Sequence, residues 1–235
     1  MTASFDPTPA ATALARLQAG NQRFVAGEMR LQQRLTPARR AEVVVAQRPF
    51  AAILSCADSR VPAEEIFDQG IGDLFIVRVA GNFAGTTQIG SLEYAVHELG
   101  VRLIVVLGHA RCGAVGAALA ALREHAQPPT AGLCSIVDAL RPALAPLLTQ
   151  PATTQRAAKA CGCTVAGEEG EASSGDQADA ERLVEQAVVA NVHWTCRELI
   201  EQSAWLAEAQ QSAGLSIVGA KYDLAQGTVT WLDAK

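Results

Sequence analysis

Three short segments of the chain are almost wholly apolar and are bounded by polar residues, glycine or proline. They are residues 50–55, 74–80 and 103–109. Uninterrupted apolar runs of this length are typical of strands that are buried on both faces. Two later runs, 215–223 and 228–233, predict further strands, and the turn residues Gln226 and Gly227 separate them.

Helical segments are predicted before and between these strands. Thr8-Pro9 and Thr36-Pro37 are each typical of an N-cap followed by the first helical residue. Residues 86–100 predict a helix that ends at Gly100, and an alanine-rich helix is predicted over 114–124. Because uniformly apolar strands alternate with helices, we expect an α/β fold with a mainly parallel sheet and helices on both faces.

One segment, residues 153–180, differs in composition from the rest. It is rich in glycine, serine and acidic residues and has almost no aliphatic pattern. We expect a flexible acidic insertion between helices here. It does not divide the chain into two domains, because the strand predicted over 215–223 needs the earlier strands for pairing. We therefore expect a single domain over residues 1–235.

Composition and charge narrow the class of protein. Hydrophobic residues make up 49% of the chain and charged residues 18%, which is ordinary for a soluble globular protein. The formal net charge of −5 gives no electrostatic argument for binding nucleic acid or an anionic membrane. The N-terminus lacks the basic and apolar regions of a secretory signal, and the longest run of small or apolar residues, 112–122, is too short to span a bilayer. We expect a cytoplasmic protein with no nucleic-acid or membrane partner.

Three side chains with metal-ligating chemistry fall at the ends of predicted strands. In a reducing compartment, cysteines are expected as metal ligands, catalytic groups or small buried side chains. Cys56 directly follows the first apolar run, and His109 ends the third, three residues before Cys112. Ligands of open α/β sheets bind at the carboxyl ends of the strands, near the point where the strand order reverses. The three side chains can therefore converge on one point.

The residues around this point predict a zinc site that could do chemistry. Two thiolates and one imidazole suit zinc, and three protein ligands leave a fourth tetrahedral position for water. Since two thiolates cancel the formal charge of the metal, a further group would help to orient and deprotonate that water. Asp58 lies two residues after Cys56, and Arg60 could hold its carboxylate in a bidentate pair.

The two motifs together resemble the signature of the β-class carbonic anhydrases. The motifs are Cys56-Ala-Asp58-Ser-Arg60 and His109-Ala-Arg-Cys112-Gly113. Three further stretches are similar to that family in order and spacing: ALARLQAGNQRFVAG, GDLFIVRVAGN and GAKYDLAQGTV. The resemblance extends over most of the chain.

The resemblance implies a fold, an assembly and a reaction. The implied fold is a parallel four-stranded sheet with an added edge strand, with the N-terminal helix packing on a partner subunit. The implied assembly is a homodimer or a multiple of dimers. The implied reaction is the reversible hydration of carbon dioxide to bicarbonate and a proton, with zinc-bound hydroxide as the nucleophile and one zinc ion per subunit.

The resemblance also implies roles for individual residues. Cys56, His109 and Cys112 match the zinc ligands of the family, and Asp58 and Arg60 match its catalytic pair. In many members the aspartate can itself coordinate zinc and close the site.

Other residues are expected to line the substrate pocket. Gln47 matches a side-chain amide that reaches the pocket, and Gly113 lies where a backbone amide faces it. Phe75 and Tyr94 match aromatic residues contributed across a dimer interface. Together with Val79, these aromatic rings would give carbon dioxide an apolar wall, which suits a small apolar substrate.

Two more residues, Ile53 and His97, bear on whether the site is open at rest and on how a proton could leave it. A bicarbonate-inhibited branch of the family has tryptophan three residues before the first zinc ligand. This chain has Ile53 there, which favours a site that is open at rest. His97 could be a proton shuttle, although histidines on helices are more often surface groups.

The sequence leaves other functions open. Relatives with the same zinc site hydrolyse carbonyl sulfide or carbon disulfide, and the motifs do not distinguish these substrates from carbon dioxide. A non-catalytic zinc-bearing regulatory subunit is a third hypothesis, against which the intact Asp58 and Arg60 argue. A structural zinc site would need a fourth ligand, and Cys161 and Cys163 form the only close cysteine pair.

Overall fold

Five strands form one sheet in the computed structural model of the chain, which describes residues 7–149 and 174–233. The strands are β1 (Ala51–Ser55), β2 (Leu74–Arg78), β3 (Leu103–His109), β4 (Ser216–Tyr222) and β5 (Val229–Leu232). Their order is β2-β1-β3-β4-β5. The first four are parallel, and β5 pairs antiparallel with β4 at the edge. The expected sheet, four parallel strands with an added edge strand, is confirmed.

Eight α-helices and one 3₁₀ segment surround the sheet within the described ranges. The helices are α1 (Ala10–Ala26), α2 (Pro37–Val43), α3 (Ala63–Ile66), α4 (Thr86–His97), α5 (Gly113–Glu124), α6 (Ala131–Leu148), α7 (Ser174–Glu201) and α8 (Ala204–Ser212), and the 3₁₀ segment is Leu31–Arg34. The predicted start of α2 is confirmed, because the Thr36 side chain accepts a hydrogen bond from the Arg39 amide and Pro37 is the first helical residue. The first helix begins one residue later than Thr8-Pro9 predicted, since Pro9 is extended and takes the N-cap position.

Successive residues of β1 point into two separate apolar cores. Ala51 and Ile53 pack in a core that α1 and α3 cover, whereas Ala52 and Leu54 pack in a core that α4, α7 and α8 cover. All five residues of β1 are buried, as expected for a parallel strand with helices on both faces. The two-sided helical covering is therefore confirmed.

Helix α1 packs against its own chain. Ala13 and Leu17 are fully buried in the core below the sheet. At Gly20 the helix approaches α3 so closely that a side chain would collide with the Phe67 carbonyl. Asn21 donates to the carbonyl of Gly227, 2.9 Å away. This face of α1 is therefore used within the chain, and packing of its remaining surface on a partner subunit stays a prediction.

Helix α6 is long and apolar enough, by length and composition alone, to cross a membrane. It packs against α5 and α7, and Leu140 and Leu144 are fully buried in that contact. On its outer side Arg141 pairs with Asp138 at 2.9 Å. One face of α6 is therefore packed within the fold.

The acidic segment 153–180 is only partly within the described residues. Its last seven residues, 174–180, belong to α7, so the expected loop is wrong there. These residues, SGDQADA, include glycine, serine and aspartate, which are weak helix formers, so their own preference does not explain the helix. They extend the long helix α7, whose later residues Leu183 and Ala187 are buried in the core. The rest of the segment, with Cys161 and Cys163, lies outside the described residues.

Candidate metal centre

The order of the strands reverses between β1 and β3, and the three expected ligands lie at this point. Cys56 directly follows β1, His109 is the last residue of β3, and Cys112 is the N-cap of α5. Their ligating atoms all lie within 4.8 Å of one another. The two sulfur atoms are 3.9 Å apart. All three side chains are buried. The predicted convergence of these residues on one point is therefore confirmed.

The imidazole of His109 is arranged as that of a metal ligand. Its Nδ1 lies 2.9 Å from the carbonyl oxygen of Ala110. Because a carbonyl can only accept, Nδ1 carries the proton and Nε2 keeps its lone pair. Nε2 is buried and has no hydrogen-bond partner among the residues that the structure describes. Two thiols and an orphaned imidazole nitrogen that converge in a buried site fit a metal ion well.

Backbone amides surround both sulfur atoms. The Gly81 N–H donates to Cys56 Sγ at 3.4 Å. Cys112 Sγ lies 3.9 Å from this sulfur, and the hydrogen bond between the two side chains is the main reason why the pKa of Cys56 is lowered. The pKa of Cys112 is raised, first by its contact with Cys56 and then by burial, while the amides of Ala114 and Val115 at the start of α5 act in the opposite direction. A positive ion in the cluster would allow both sulfurs to be thiolates.

Asp58 and Arg60 form a bidentate pair beside the cluster. Arg60 Nε donates to Asp58 Oδ1 at 2.9 Å, and Nη2 donates to Oδ2 at 2.7 Å. The Arg60 amide also donates to Oδ1. The Arg60 guanidinium holds the pKa of the Asp58 carboxyl well below its usual range. Asp58 Oδ2 lies 3.9 Å from His109 Nε2, so an ionised carboxylate faces the cluster.

Arg78 is part of this centre and was not singled out from the sequence. Its Nε donates to the Cys56 carbonyl at 3.1 Å, and its Nη2 donates to the Asp58 carbonyl at 2.7 Å. It therefore fixes the backbone on both sides of Ala57. The available signal was a charged residue within the apolar run 74–80, because an arginine there needs specific acceptors.

Two of the expected pocket residues belong to segments that adjoin the cluster. Val79 exchanges backbone hydrogen bonds with Ser55 and Ala57, on either side of Cys56. Gly113 is exposed at the first position of α5, and a Cβ built there would meet nothing within 4 Å.

The other three expected pocket residues do not join the cluster within one chain. Gln47 is exposed in the segment that leads into β1, whereas Cys56 follows the opposite end of that strand. Phe75 lies near the amino end of β2, and its ring centroid is 6.2 Å from that of Tyr94 on α4. The Tyr94 side chain is 49% exposed, although it is a large aromatic residue.

His97 lies in the last turn of α4, and its contacts are distant from the cluster. Its Nδ1 is 2.8 Å from Glu98 Oε1, and its ring packs edge-on against Trp205 of α8. Because α4 runs from the carboxyl end of β2 toward the amino end of β3, His97 lies near the amino ends of the strands, whereas Cys56 lies at their carboxyl ends. His97 is the exposed surface group that the sequence favoured, and this geometry gives no support to the alternative role as a proton shuttle.

Comparison with known proteins gives a family match over most of the chain. The family model described as "Carbonic anhydrase" matches residues 51–229. A carbonic anhydrase of Mycolicibacterium smegmatis is 38% identical over 217 residues, which is 91% of this chain and 88% of the relative.

Solved structures resemble the chain in fold. A β-carbonic anhydrase of Aspergillus fumigatus superposes with a TM-score of 0.64 at 25% identity, covering 96% of this chain and 91% of that chain. Tetrameric β-carbonic anhydrases of Sordaria macrospora include one with a TM-score of 0.61 at 20% identity, covering 95% of both chains.

Proposed function

Because this chain belongs to the carbonic anhydrase family and has the fold of β-class members, we propose that it is an enzyme for the reversible hydration of carbon dioxide. The products are bicarbonate and a proton, and one zinc ion is held in each subunit by Cys56, His109 and Cys112. The observation that carries the proposal is the buried cluster of three ligating atoms beside an ionised carboxylate.

Zinc is the metal that best fits this ligand set. Cysteine and histidine favour zinc over magnesium or calcium, which prefer oxygen ligands. Within the described part of the chain, the cluster contains three residues, so a tetrahedral ion keeps one position for a small ligand. When bound, zinc lowers the pKa of a water ligand to about 7 and makes hydroxide available at neutral pH.

Asp58 and Arg60 orient the attacking oxygen. The Asp58 carboxylate stays ionised because Arg60 donates to both of its oxygens. An ionised carboxylate can only accept hydrogen bonds, so it selects the orientation in which the nucleophile points its proton at Asp58 and its lone pair at the substrate. Because Arg60 donates to both oxygens of Asp58, it also competes with the metal for this carboxylate and so disfavours Asp58 as a ligand.

A dimer, or a multiple of dimers, would complete the pocket. Val44 and Val45 are 79% and 93% exposed in the single chain, and Tyr94 is 49% exposed. Exposed apolar groups that are close in sequence to Gln47 favour an interface between copies of the chain. In such an assembly Gln47, Phe75 and Tyr94 would reach the cluster of a neighbouring subunit. The tetrameric state of the Sordaria macrospora enzymes supports this proposal.

We also propose that the protein works in a reducing compartment such as the cytoplasm. The four described cysteines are free. The sulfur atoms of Cys56 and Cys112 are 3.9 Å apart, so in an oxidising compartment these two thiols could form a disulfide and would no longer bind a metal. Cell fractionation with detection of the native protein tests this proposal, and recovery from a secreted fraction would contradict it.

Stopped-flow measurement of carbon dioxide hydration, on protein whose zinc content is quantified, tests the main proposal. We expect hydration that scales with zinc content across preparations. Sulfide release from carbonyl sulfide or carbon disulfide, without carbon dioxide hydration, would replace the proposal with a hydrolase that uses the same site. No turnover of any of these substrates at full zinc occupancy would favour a regulatory zinc protein.

A further inference from the structure

Helix α7 contributes a carboxylate that the proposed reaction does not use. Glu185 is partly buried, and its two oxygens accept hydrogen bonds from different parts of the chain. Oε1 accepts from the backbone N–H of Arg111 at 3.1 Å, and Oε2 accepts from Lys221 Nζ at 2.7 Å. Arg111 lies between two of the metal-ligating residues, and Lys221 lies in β4. Glu185 therefore joins α7 to both the ligand loop and the sheet.

One peptide group connects Glu185 to the imidazole of His109. The peptide between Ala110 and Arg111 presents its N–H to Glu185 Oε1 and its carbonyl oxygen to His109 Nδ1, 2.9 Å away. A hydrogen bond to an ionised acceptor is stronger than a neutral one. Hydrogen bonds in series also polarise one another, so the carboxylate makes the carbonyl a better acceptor for the imidazole proton.

The backbone of this loop is strained and needs such contacts. Arg111 has a φ of +53°, in the left-handed region that non-glycine residues rarely adopt. Conformations of this kind persist only where the surroundings determine them. The Ala110 amide donates to the Tyr222 carbonyl at 2.8 Å, and the Arg111 amide donates to Glu185. Without Glu185, the Arg111 amide would lose this acceptor, and the peptide would keep only the contact of its carbonyl oxygen with His109 Nδ1.

We propose that Glu185 is a positioning residue for the metal centre, acting on His109 through the peptide between Ala110 and Arg111. It keeps the Ala110 carbonyl directed at His109 Nδ1, which maintains the tautomer and direction in which Nε2 faces the cluster. The consequence for zinc rests on the proposed function, since it requires His109 to be a ligand. The expected effect on the His109 imidazole itself does not depend on the proposed function.

The adjacent carboxylate on α7 provides a matched control. Glu181 lies one helical turn before Glu185, and its carboxylate approaches the exposed guanidinium of Arg111 at 3.6 Å, whereas Glu185 accepts from the Arg111 amide. Glu181→Gln removes the same charge from the same helix face without touching the peptide. Glu185→Gln keeps the shape and an acceptor oxygen but loses the charge, and Glu185→Ala removes the acceptor altogether.

The first measurement is the rate at which the zinc-loaded, full-length protein releases zinc to a chromogenic chelator. Removing a hydrogen bond that orients a ligating histidine typically weakens metal binding about 10- to 100-fold. Because Glu185 acts one peptide group further out, we expect release to be faster by up to about 10-fold in Glu185→Ala, less so in Glu185→Gln and unchanged in Glu181→Gln. Equal release rates in the parent and both Glu185 variants would overturn the proposal.

The second measurement reports on the imidazole itself. In reduced, metal-free protein with ¹⁵N-labelled histidine, the Nδ1–H resonance of His109 is assigned by its loss in His109→Gln. We expect this resonance to shift in Glu185→Gln and to stay in place in Glu181→Gln. An unshifted resonance would overturn the proposal even if zinc release changed, because a general loosening of the fold would then be sufficient.

These measurements separate the inference from the proposed function. If the zinc-loaded parent hydrates no carbon dioxide, the function fails while the resonance and the release rates still test Glu185. If Glu185→Ala does not fold, as judged by circular dichroism, the near-isosteric Glu185→Gln decides the outcome.

Discussion

A single methyl group at position 81 should weaken both the fold and the metal centre. Gly81 has a φ of +85°, and its amide donates to Cys56 Sγ at 3.4 Å. Its carbonyl accepts a hydrogen bond from the buried Asn191 side chain at 2.8 Å. Both peptide groups of the residue are thus engaged, and the backbone cannot leave the left-handed region without losing one of these contacts.

The cost of Gly81→Ala can be worked out from this geometry. An L-residue forced into a left-handed conformation costs about 1–2 kcal/mol. The new Cβ would lie 3.0 Å from Leu140 Cδ1 and 3.3 Å from Cδ2, which are the ends of a flexible side chain and can give way. The cost of the left-handed backbone conformation therefore exceeds the cost of the contact with Leu140. For a chain of this size, about 1–2 kcal/mol corresponds to a fall in Tm of roughly 2–8 °C.

Thermal unfolding of the zinc-loaded variant, at the protein concentration used for the parent, measures this cost. Chelator competition measures zinc release in parallel, and we expect faster release because the alanine amide would turn away from Cys56 Sγ. Gly113→Ala is the control, since its Cβ would meet nothing within 4 Å. Its Tm should be unchanged or slightly higher, because alanine favours the helix more than glycine does.

A Gly81→Ala variant with the Tm and zinc release of the parent would refute this reasoning. It would mean that the left-handed backbone at position 81 is not needed to hold Cys56. A loss of hydration rate in Gly113→Ala at an unchanged Tm would, in addition, support the predicted place of Gly113 in the substrate pocket.

Three further predictions concern ligation, assembly and pH. Cys112→Ser should lower zinc content at equal protein folding, because hydroxyl is a poor replacement for thiolate; a variant that binds zinc as tightly as the parent would remove Cys112 from the ligand set. Tyr94→Ala should shift sedimentation toward smaller species and lower the hydration rate, since the exposed ring is expected at a subunit interface; unchanged sedimentation and rate would remove it from that interface. Burial raises the pKa of the Cys196 thiol to about 12. Its neutral form is therefore favoured in the folded state, so this contribution to stability is present below the unfolded pKa near 8.5 and is lost as the pH rises toward 12. In urea unfolding at pH 7.5 and 10.5, Cys196→Val should lose less stability than the parent between the two values, and an equal loss would contradict the assigned cause.

The sequence predicted most about the fold where burial is uniform. β1 and β3 are apolar along their whole length because both faces of the sheet are covered, and their ends were predicted to within one residue. Since Cys56 directly follows β1 and His109 ends β3, three residues before Cys112, the ligand cluster was predictable as well. Parallel pairing then brings the ends of β1 and β3 side by side without further information.

The rest depends on contacts between distant parts of the chain. Arg78 and Glu185 act through backbone atoms of other segments. The charge within the apolar run 74–80 was a local signal for Arg78, but no local pattern identifies its acceptors or marks Glu185. The helical start of α7 was missed because residues 174–180 include weak helix formers and extend a helix that is packed further along the chain. The pocket roles of Gln47 and Tyr94 depend on a second subunit, so a single chain does not decide them.

The most direct test of the account is the rate of carbon dioxide hydration against pH, for the parent and Asp58→Ala, with zinc quantified in each sample. We predict a rate in the parent that rises with pH through a single ionisation, as expected for hydroxide made available at the metal. Asp58→Ala should retain zinc and lose about 100-fold or more in rate, which is typical of removing a group that handles the reacting proton. A parent that carries full zinc and hydrates no carbon dioxide at any pH would contradict the function, and a zinc-replete Asp58→Ala with the rate of the parent would contradict the role of Asp58.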